Sequence, residues 1–272
     1  MIGVSAGQGG LWAGTILGLQ FVWYKDFPKT DFHSFDDGHE WQQMDKVGHV
    51  ATAFYISRVS NGAFRWAGLD RKKSAIIGAS VGFGYQTSLE VLDAFNADWG
   101  FSWWDMGANA LGSLMFLGQE LGWEDQKVKF KYSYYQSGLA DYRPNLLGSS
   151  FASRTLKDYN AQTYWLSFNP ITMFNKDSKF PKWINLSLGY GIHDQLIGDG
   201  GTYIHTSADG NEQVSFTPYR QFFLSFDIDL EDIPVRSKFL KILFKGLNMF
   251  KMPFPALEIN TQGKARFRPF FT

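Results

Sequence analysis

The chain of 272 residues has no cysteine, which excludes disulfide bonds and thiolate chemistry. It also has no excess of either charge, because 26 lysines and arginines balance 26 aspartates and glutamates. A balanced charge does not favour nucleic acid as a partner. No run of about 18 uninterrupted apolar residues occurs, so the sequence does not predict a conventional transmembrane helix.

Aromatic side chains, by contrast, make up 18% of the chain, a high share for a soluble domain. Aromatic rings are favoured at membrane interfaces, where one end of the ring meets water and the other meets lipid. A large aromatic core explains the same composition. The composition alone leaves both interpretations open.

The period of the apolar pattern changes once, near residues 123–126. Before this point, apolar runs with helical spacing predict four helices, over residues 10–24, 46–60, 74–93 and 104–120. Residues 11–24 have the length of a signal-peptide core, but no basic residue precedes them, so we expect a helix of the mature protein.

Small residues recur at four-residue steps within these predicted helices. Such spacing allows helices to approach closely and therefore predicts a tightly packed bundle. The steps are Gly10, Gly14 and Gly18; Gly78 and Gly82; and Ala108 and Gly112.

After the change of period, apolar and polar residues alternate, which predicts up to eight antiparallel strands. They cover residues 127–134, 163–168, 184–192, 203–205, 214–216, 220–230, 257–259 and 265–270. This alternation fits a half-buried sheet in a soluble protein. It fits equally a small, about eight-stranded outer-membrane barrel, with apolar residues toward lipid and polar residues inside.

A basic amphipathic helix is predicted near residues 236–251. Its lysines recur at three- and four-residue steps between apolar residues, and no acidic residue interrupts them. A helix of this kind can lie in a membrane interface, and the alternative is a helix that covers a sheet edge with its lysines in water. The predicted membrane-binding residues are Lys238, Lys241, Lys245, Phe239, Leu243 and Leu247.

Polar residues stand at the ends of the three most apolar helices, where burial costs several kcal/mol unless they are paired. On helices, residues three or four apart share a face, so the polar faces can converge on one buried cluster. Its predicted members, and the candidate catalytic residues, are Asp45, Lys46, His49, Glu90, Asp93, Asp105 and Asn109. The candidate metal ligands among them are His49, Glu90, Asp93 and Asp105.

Three roles are open for this cluster: holding a metal ion, general acid–base chemistry with a carboxylate tuning His49, or an ion-pair network that fixes the helix register. A second group, His33, Asp36, Asp37 and His39, lies between predicted helices. Its spacing matches no established ligand pattern, and we expect a solvated loop there.

Several motifs resemble one family in their order and spacing. They are EWQQMDKVGH at 40–49, LEVLD at 89–93, WGFS at 99–102 and DMGANALG at 105–112. This segment resembles the YfiM-type family of predicted periplasmic lipoproteins, whose function is unknown. LKDYNAQTYW at 156–165 and PALE at 255–258 resemble the longer, Bacteroidetes-type members.

A weaker likeness links the helical half to VanZ-type proteins, and the residues that carry it are Asp45, Lys46, His49, Tyr55, Glu90, Asp105, Asn109 and Gly112. The resemblance implies a location in a Gram-negative envelope and brings no catalytic mechanism. This chain has no cysteine to carry a lipid, so we expect any anchoring to come from the β half or the basic helix.

We therefore predict an α+β fold, with a four-helix module around a buried polar cluster at residues 1–123 and an antiparallel β region at residues 124–272. The predicted function is structural or interactive, at the outer membrane or its periplasmic face, within a larger membrane assembly. The alternative is a lipid- or glycan-processing enzyme that uses the polar cluster. We expect membrane lipid as a partner, other outer-membrane proteins as further candidates and no nucleic acid, and the sequence identifies no cofactor.

Overall fold

A computed structural model describes residues 1–22, 28–175, 177–207 and 210–271. The chain divides into two compact units. The first comprises residues 1–38 and 45–126, and the second comprises residues 39–44 and 127–272. Each unit has its own pattern of secondary structure, helical in the first and mainly β in the second.

Four long helices account for most of the first half of the chain. They are α1 (Ile2–Val22), α2 (Met44–Trp66), α3 (Arg71–Asp93) and α4 (Trp103–Gly122). The prediction of four helices is confirmed, although the predicted end of the first at residue 24 lies outside the described residues. Among the helices described, none is both long and apolar enough to cross a bilayer.

Polar side chains fix where two of these helices begin. The Asp70 side chain accepts a hydrogen bond from the backbone N–H of Lys73 at 3.0 Å and caps α3. The Ser102 hydroxyl accepts one from the backbone N–H of Asp105 at 3.1 Å and caps α4. Such caps satisfy backbone donors that have no partner within the helix. The Ser102 cap also fixes the position of Asp105 in the first turn of α4.

Small residues allow α3 and α4 to approach α2 closely, as their spacing predicted. A Cβ atom added at Gly112 would lie 2.1 Å from the Val50 carbonyl oxygen, and one at Gly78 would lie 2.6 Å from the Ser57 carbonyl oxygen. The same prediction is wrong for α1. Among the described residues, no atom lies within 4 Å of a Cβ added at Gly10, Gly14 or Gly18, so no described element packs against this face.

Instead, α1 contacts α3 through aromatic and hydroxyl side chains. Trp12 donates from Nε1 to the Ser88 hydroxyl at 3.1 Å, and its ring stands edge-on to Tyr85 with centroids 5.7 Å apart. The Tyr85 hydroxyl donates to Thr15 Oγ1 at 3.1 Å. A helix held mainly at these points leaves most of its other side chains exposed.

All eight predicted strands are present. They are β1 (Val128–Tyr134), β2 (Gln162–Phe168), β3 (Ile184–His193), β4 (Tyr203–Thr206), β5 (Gln213–Phe216), β6 (Tyr219–Ile228), β7 (Phe254–Asn260) and β8 (Ala265–Phe271). They form two antiparallel sheets rather than one: six strands in the order β1-β2-β3-β6-β7-β8, and a separate β4–β5 hairpin. β1 also makes a single parallel bridge, from Tyr132 to Phe250.

Helices connect several of these strands. Three short ones, which the apolar pattern did not indicate, are α5 (Pro144–Leu147), α6 (Phe151–Lys157) and α7 (Pro170–Phe174). The predicted basic helix is present as α8 (Lys238–Leu247), between β6 and β7. A small apolar core lies beside the β4–β5 hairpin and includes Leu139, Leu147, Leu196 and Phe216.

Candidate functional site

The helix ends of the first unit bring polar side chains together. Asp45 and Lys46 lie in the first turn of α2, Asp105 lies in the first turn of α4, and Glu90 lies in the last turn of α3. We name the assembled group the polar cluster. It comprises Asp37, Asp45, Lys46, His49, Gln86, Glu90, Asp105 and Asn109.

Lys46 is a cation shared by three carboxylates. Its Nζ contacts Asp37 and lies 3.1 Å from Asp45 Oδ2 and 2.9 Å from Asp105 Oδ1. Burial acts to lower the pKa of Lys46, but the charges of Asp45 and Asp105 outweigh it and hold the pKa above its ordinary value. Lys46 therefore stays charged and supplies one of the positive charges that the buried acids require.

His49 presents its two ring nitrogens to different partners. Nδ1 lies 3.0 Å from Asn109 Oδ1, and Gln86 Nε2 lies 3.3 Å from the same oxygen. Asn109 Oδ1 accepts, so we assign the Nδ1 proton to this hydrogen bond. Nε2 then faces the carboxylates of Asp45 at 3.8 Å and Asp105 at 4.0 Å.

The protonation of the cluster follows from burial and from its excess of acids. Burial opposes a charge on His49, but the carboxylates of Asp45, Asp105 and Glu90 raise its pKa to about 9. Burial raises the pKa of Glu90 to about 8, with Asp105 adding to the shift. Burial and then Asp45 raise the pKa of Asp105, against the opposing charges of His49 and Lys46.

Glu90 is the most deeply buried acid of the cluster, at 1% exposure. Its Oε2 accepts a weak hydrogen bond from the Ser102 N–H at 3.4 Å, while Oε1 lies 3.6 Å from His49 Nδ1. Within the part of the chain that the structure describes, Oε1 has no hydrogen-bond partner. A buried carboxyl oxygen without a partner is costly, which is consistent with a protonated Glu90.

The structure brings most of the predicted residues together and adds others. Asp93, which was predicted as a member, lies half-buried one helical turn beyond Glu90, and its charge contributes to the raised pKa of that residue. Asp37 was expected in a solvated loop, and that expectation is wrong. Its carboxylate contacts Lys46 and accepts from the Ser102 hydroxyl.

The sequence did not predict Asp37, Gln86 or Ser102 as contacts of the polar cluster. Gln86 precedes Glu90 by four residues, the spacing of one helix face, and this spacing is a signal that could have identified it. Ser102 precedes Asp105 by three residues, as a capping residue does. Asp37 offers no such signal, because its loop position is set by tertiary contacts.

The donor set of the cluster suits a divalent cation in type and distance. Asp45, His49 and Asp105 each offer one ligand atom, a carboxylate oxygen or a ring nitrogen, and these three atoms lie within 4.8 Å of one another. Nitrogen and carboxylate ligands suit borderline metals such as Zn²⁺. Lys46 already contacts Asp45 and Asp105, so a metal would have to displace this ammonium or share the two carboxylates with it.

Two Gly-x-Ser-x-Gly sequences, at residues 3–7 and 78–82, do not form a hydrolase site. A nucleophile elbow needs a strand, a sharp turn and a helix, whereas these sequences lie within α1 and α3. Ser80 in the second donates to the Ile76 carbonyl oxygen at 3.0 Å, as a helical serine commonly does.

In the second unit, one side of the six-stranded sheet buries charged residues. Lys131 and Asp227 are fully buried and their charged atoms lie 2.7 Å apart. Lys129 and Asp229 form a second pair at 2.7 Å, and the Ser167 hydroxyl donates to Asp227 at 2.7 Å. Buried ion pairs of this kind are unusual in a protein core, and here they lie on the same side of the sheet as a small apolar cluster of Trp165, Phe223 and Ala256.

The opposite side of the same sheet exposes apolar residues. The strand registers place six of them in one line across all six strands, and we name this line the apolar row. It comprises Phe130, Leu166, Leu188, Leu224, Leu257 and Phe267. Phe130 is buried and Leu166 half-buried, but the other four are 43–69% exposed.

The predicted membrane-binding residues all lie on α8, and all are exposed. Three of them are lysines and three are apolar: Lys238, Lys241, Lys245, Phe239, Leu243 and Leu247. Only Leu240 and Phe244 of this helix are half-buried. The protein thus covers one narrow part of the apolar surface of α8 and leaves the rest open.

Residues 33–117 match the family model described as Predicted periplasmic lipoprotein (DUF2279). No curated protein and no solved structure shows a significant match to the chain. The match contains the whole polar cluster, from Asp37 to Asn109. It confirms the resemblance at the level of this family and is consistent with a periplasmic location in the cell envelope.

Proposed function

We propose that the protein has a structural or interaction role at the outer membrane or its periplasmic face, and that the apolar side of its six-stranded sheet contacts lipid. The observation that carries the proposal is the apolar row. In a soluble antiparallel sheet the apolar side is buried and the polar side faces water. Here the burial is reversed, because Leu224 is 43% exposed while Asp227, on the same strand, is 1% exposed.

This reversal has a direct physical meaning. Four leucine and phenylalanine side chains that are 43–69% exposed forgo roughly half of the about 1.5–3 kcal/mol that full burial of each would contribute. Contact with hydrocarbon recovers this free energy. Strands that face lipid alternate in the same sense, with apolar residues outward and polar residues inward.

In this proposal the polar cluster is structural. Lys46 joins α2 to α4 through Asp105 and to residue 37, so the ion pairs fix the relative register of the helices. We also propose, from the sequence, that the chain belongs to the YfiM-type subgroup and is similar to VanZ-type proteins. We propose further that its two regions divide at residues 123–124 and that it takes part in a larger assembly.

The test is the effect of a charge placed in the apolar row. Leu224→Arg and Leu257→Arg should lower the fraction of protein that stays in the outer-membrane fraction after urea extraction, because arginine facing the middle of a bilayer costs about 2–4 kcal/mol. Ile204→Arg is the matched control, since Ile204 is 59% exposed but lies in the β4–β5 hairpin. Equal retention of all three variants would overturn lipid contact by the sheet.

The second candidate function is an envelope enzyme that acts on lipid or glycan. It is favoured by the access of solvent to the polar cluster: the side chains of Asp45 and His49 are 25% and 17% exposed. With Nδ1 held by Asn109, Nε2 is the ring nitrogen that can act. Because the carboxylates raise the pKa of His49 to about 9, Nε2 is protonated at neutral pH and serves as a general acid, and it can bind a metal only after losing this proton.

Titration of the purified protein with Zn²⁺ and Mn²⁺ tests the metal-dependent form of this candidate. Calorimetric binding that His49→Gln removes while the circular dichroism spectrum is unchanged would favour the enzyme. A loss of folding stability in His49→Gln, without metal binding by the natural protein, would favour the structural network.

A further inference from the structure

The exposed surface of α8 is arranged in three stripes. Successive residues of a helix are 100° apart, so Lys238, Lys241 and Lys245 fall on one face. Leu240 and Phe244 lie on a second face, and these are the two half-buried residues of the helix. Between the two faces lies a third stripe that is apolar but exposed. Its members are Phe239, Ile242, Leu243 and Leu247.

The third stripe has no partner of its own within the described chain that buries it. Phe239 is 71% exposed and Ile242 is 75% exposed. A helix that served only to cover a sheet edge would turn these residues inward and its lysines to water. The helix instead packs through its neighbouring stripe, which leaves the apolar stripe and the lysines together at the surface.

A buried polar contact holds α8 in this orientation. Asn248 ends the helix at 1% exposure, and its Nδ2 donates to Asp229 at 2.9 Å and to Glu231 at 3.1 Å. The Asn248 Oδ1 accepts from the backbone N–H of Leu230 at 2.9 Å. Asp229 is itself paired with Lys129, so the end of the helix is tied to the interior of the sheet.

The charges near α8 indicate what kind of surface the third stripe contacts. Residues 233–251 contain no acidic residue, and three exposed lysines border the stripe. Apolar side chains beside lysines suit a bilayer whose headgroups are anionic, because the side chains enter the acyl region while the ammonium groups meet phosphate. We propose that α8 lies in the interface of a membrane and selects anionic phospholipid. This inference rests on the proposed function, since it specifies the lipid that the same unit contacts.

The absence of cysteine makes the experiment direct, because one introduced cysteine carries the only label. The full chain with Ile242→Cys, labelled with an environment-sensitive fluorophore, is reconstituted into vesicles of phosphatidylcholine alone or mixed with phosphatidylglycerol. The expected result is a blue-shifted emission and quenching by lipid-borne quencher in the anionic vesicles. Ser215→Cys, an exposed position in the β4–β5 hairpin, is the aqueous reference.

The role of the lysines in selecting anionic lipid is tested by a variant that carries Lys238→Gln, Lys241→Gln and Lys245→Gln together with the label at position 242. Each lysine near an anionic surface contributes about fivefold to partition, so the triple variant should lose about a hundredfold of the preference for anionic vesicles. Equal insertion of both proteins in both vesicles would overturn the selection of anionic lipid.

A label at Phe226→Cys, on the exposed side of β6, separates this inference from the proposed function. If the label at 226 is in lipid while the label at 242 stays in water in both vesicles, the inference about α8 is wrong and lipid contact by the sheet stands. If both labels stay in water, the proposed function fails as well.

Discussion

Leu188 and Leu224 lie directly opposite each other on neighbouring strands, and both side chains are exposed, at 47% and 43%. Their neighbours along the strands, Ser187 and Ser225, are also register partners and are buried. Cross-strand pairs are the units that stabilise a sheet. At this point the sheet therefore has an apolar pair on the outside and a hydroxyl pair on the inside.

Removal of the buried charge of Lys131 should strongly destabilise the second unit. Lys131→Met leaves Asp227 buried without its closest cation, and breaking a buried ion pair in this way costs about 3–5 kcal/mol. Lys182→Met, at an exposed lysine, is the control and should change the free energy of unfolding by less than about 0.5 kcal/mol. Urea unfolding of the detergent-solubilised protein measures both. A similar small change in the two variants would contradict the importance of the Lys131–Asp227 pair.

A single added methyl group distinguishes packed from unpacked glycines. Gly112→Ala places a Cβ against the carbonyl oxygen of Val50 and should destabilise the helical unit by about 1–3 kcal/mol. In Gly14→Ala the new Cβ has no atom of the described residues within 4 Å, and the variant should stabilise α1 by about 0.5–1 kcal/mol because alanine favours the helix. Thermal unfolding followed at 222 nm compares the two. A stabilising Gly112→Ala would show that α4 does not approach α2 as described.

Stability should fall as the pH rises through the neutral range. The pKa of His49 is raised from 6.5 to about 9, so the folded state binds more protons than the unfolded state between these values. The contribution of His49 is fully present below pH 6.5 and is lost as the pH rises through 9. Glu90, with a pKa raised from 4.5 to about 8, acts in the same direction at lower pH.

The measurement is the free energy of unfolding at pH values from 6 to 9 for the natural protein and for His49→Gln. The free energy of unfolding of the variant should decrease less steeply with pH, since each unit of pKa shift corresponds to about 1.4 kcal/mol. His39→Gln changes an exposed histidine and should leave the slope unaltered. A slope that His49→Gln leaves unchanged would mean that another group carries the dependence.

Loss of the Asp37 carboxylate should weaken the link between its loop and α2. Asp37→Ala removes the contact with Lys46 and the hydrogen bond from Ser102, and we expect a cost of about 1–3 kcal/mol. Asp31→Ala, at an exposed position in the same segment, should be nearly neutral. Amide hydrogen exchange of residues 28–38 measures the stability of the loop directly. Equal exchange in the two variants would show that Asp37 does not stabilise the loop.

The sequence predicted the elements of this fold better than their orientation. Period-two alternation identified all eight strands, and helical spacing identified the four long helices and α8. Alternation at Phe222, Leu224 and Phe226 shows that these residues share a side but does not show which side is covered. That choice depends on the ion pair of Lys131 with Asp227, whose partners are 96 residues apart in the chain.

The members of the polar cluster that lie on helices were predictable from the sequence, and the one in a loop was not. Polar residues in apolar helices must meet partners, which is why the group of Asp45, His49, Glu90 and Asp105 was expected to converge. Asp37 was missed because loops have no periodicity that reports burial. The unpacked face of α1 was also missed, since glycine spacing indicates that helices can approach but not that a partner is present.

The apolar row has a consequence for how the protein reaches its final location. Four large side chains of the row lie uncovered in neighbouring strands, and without the proposed lipid contact this surface favours self-association. A chain that finished folding in the aqueous periplasm would carry this hazard for its whole transit. If lipid covers the row as proposed, protein kept without lipid or detergent should aggregate before its helical unit unfolds.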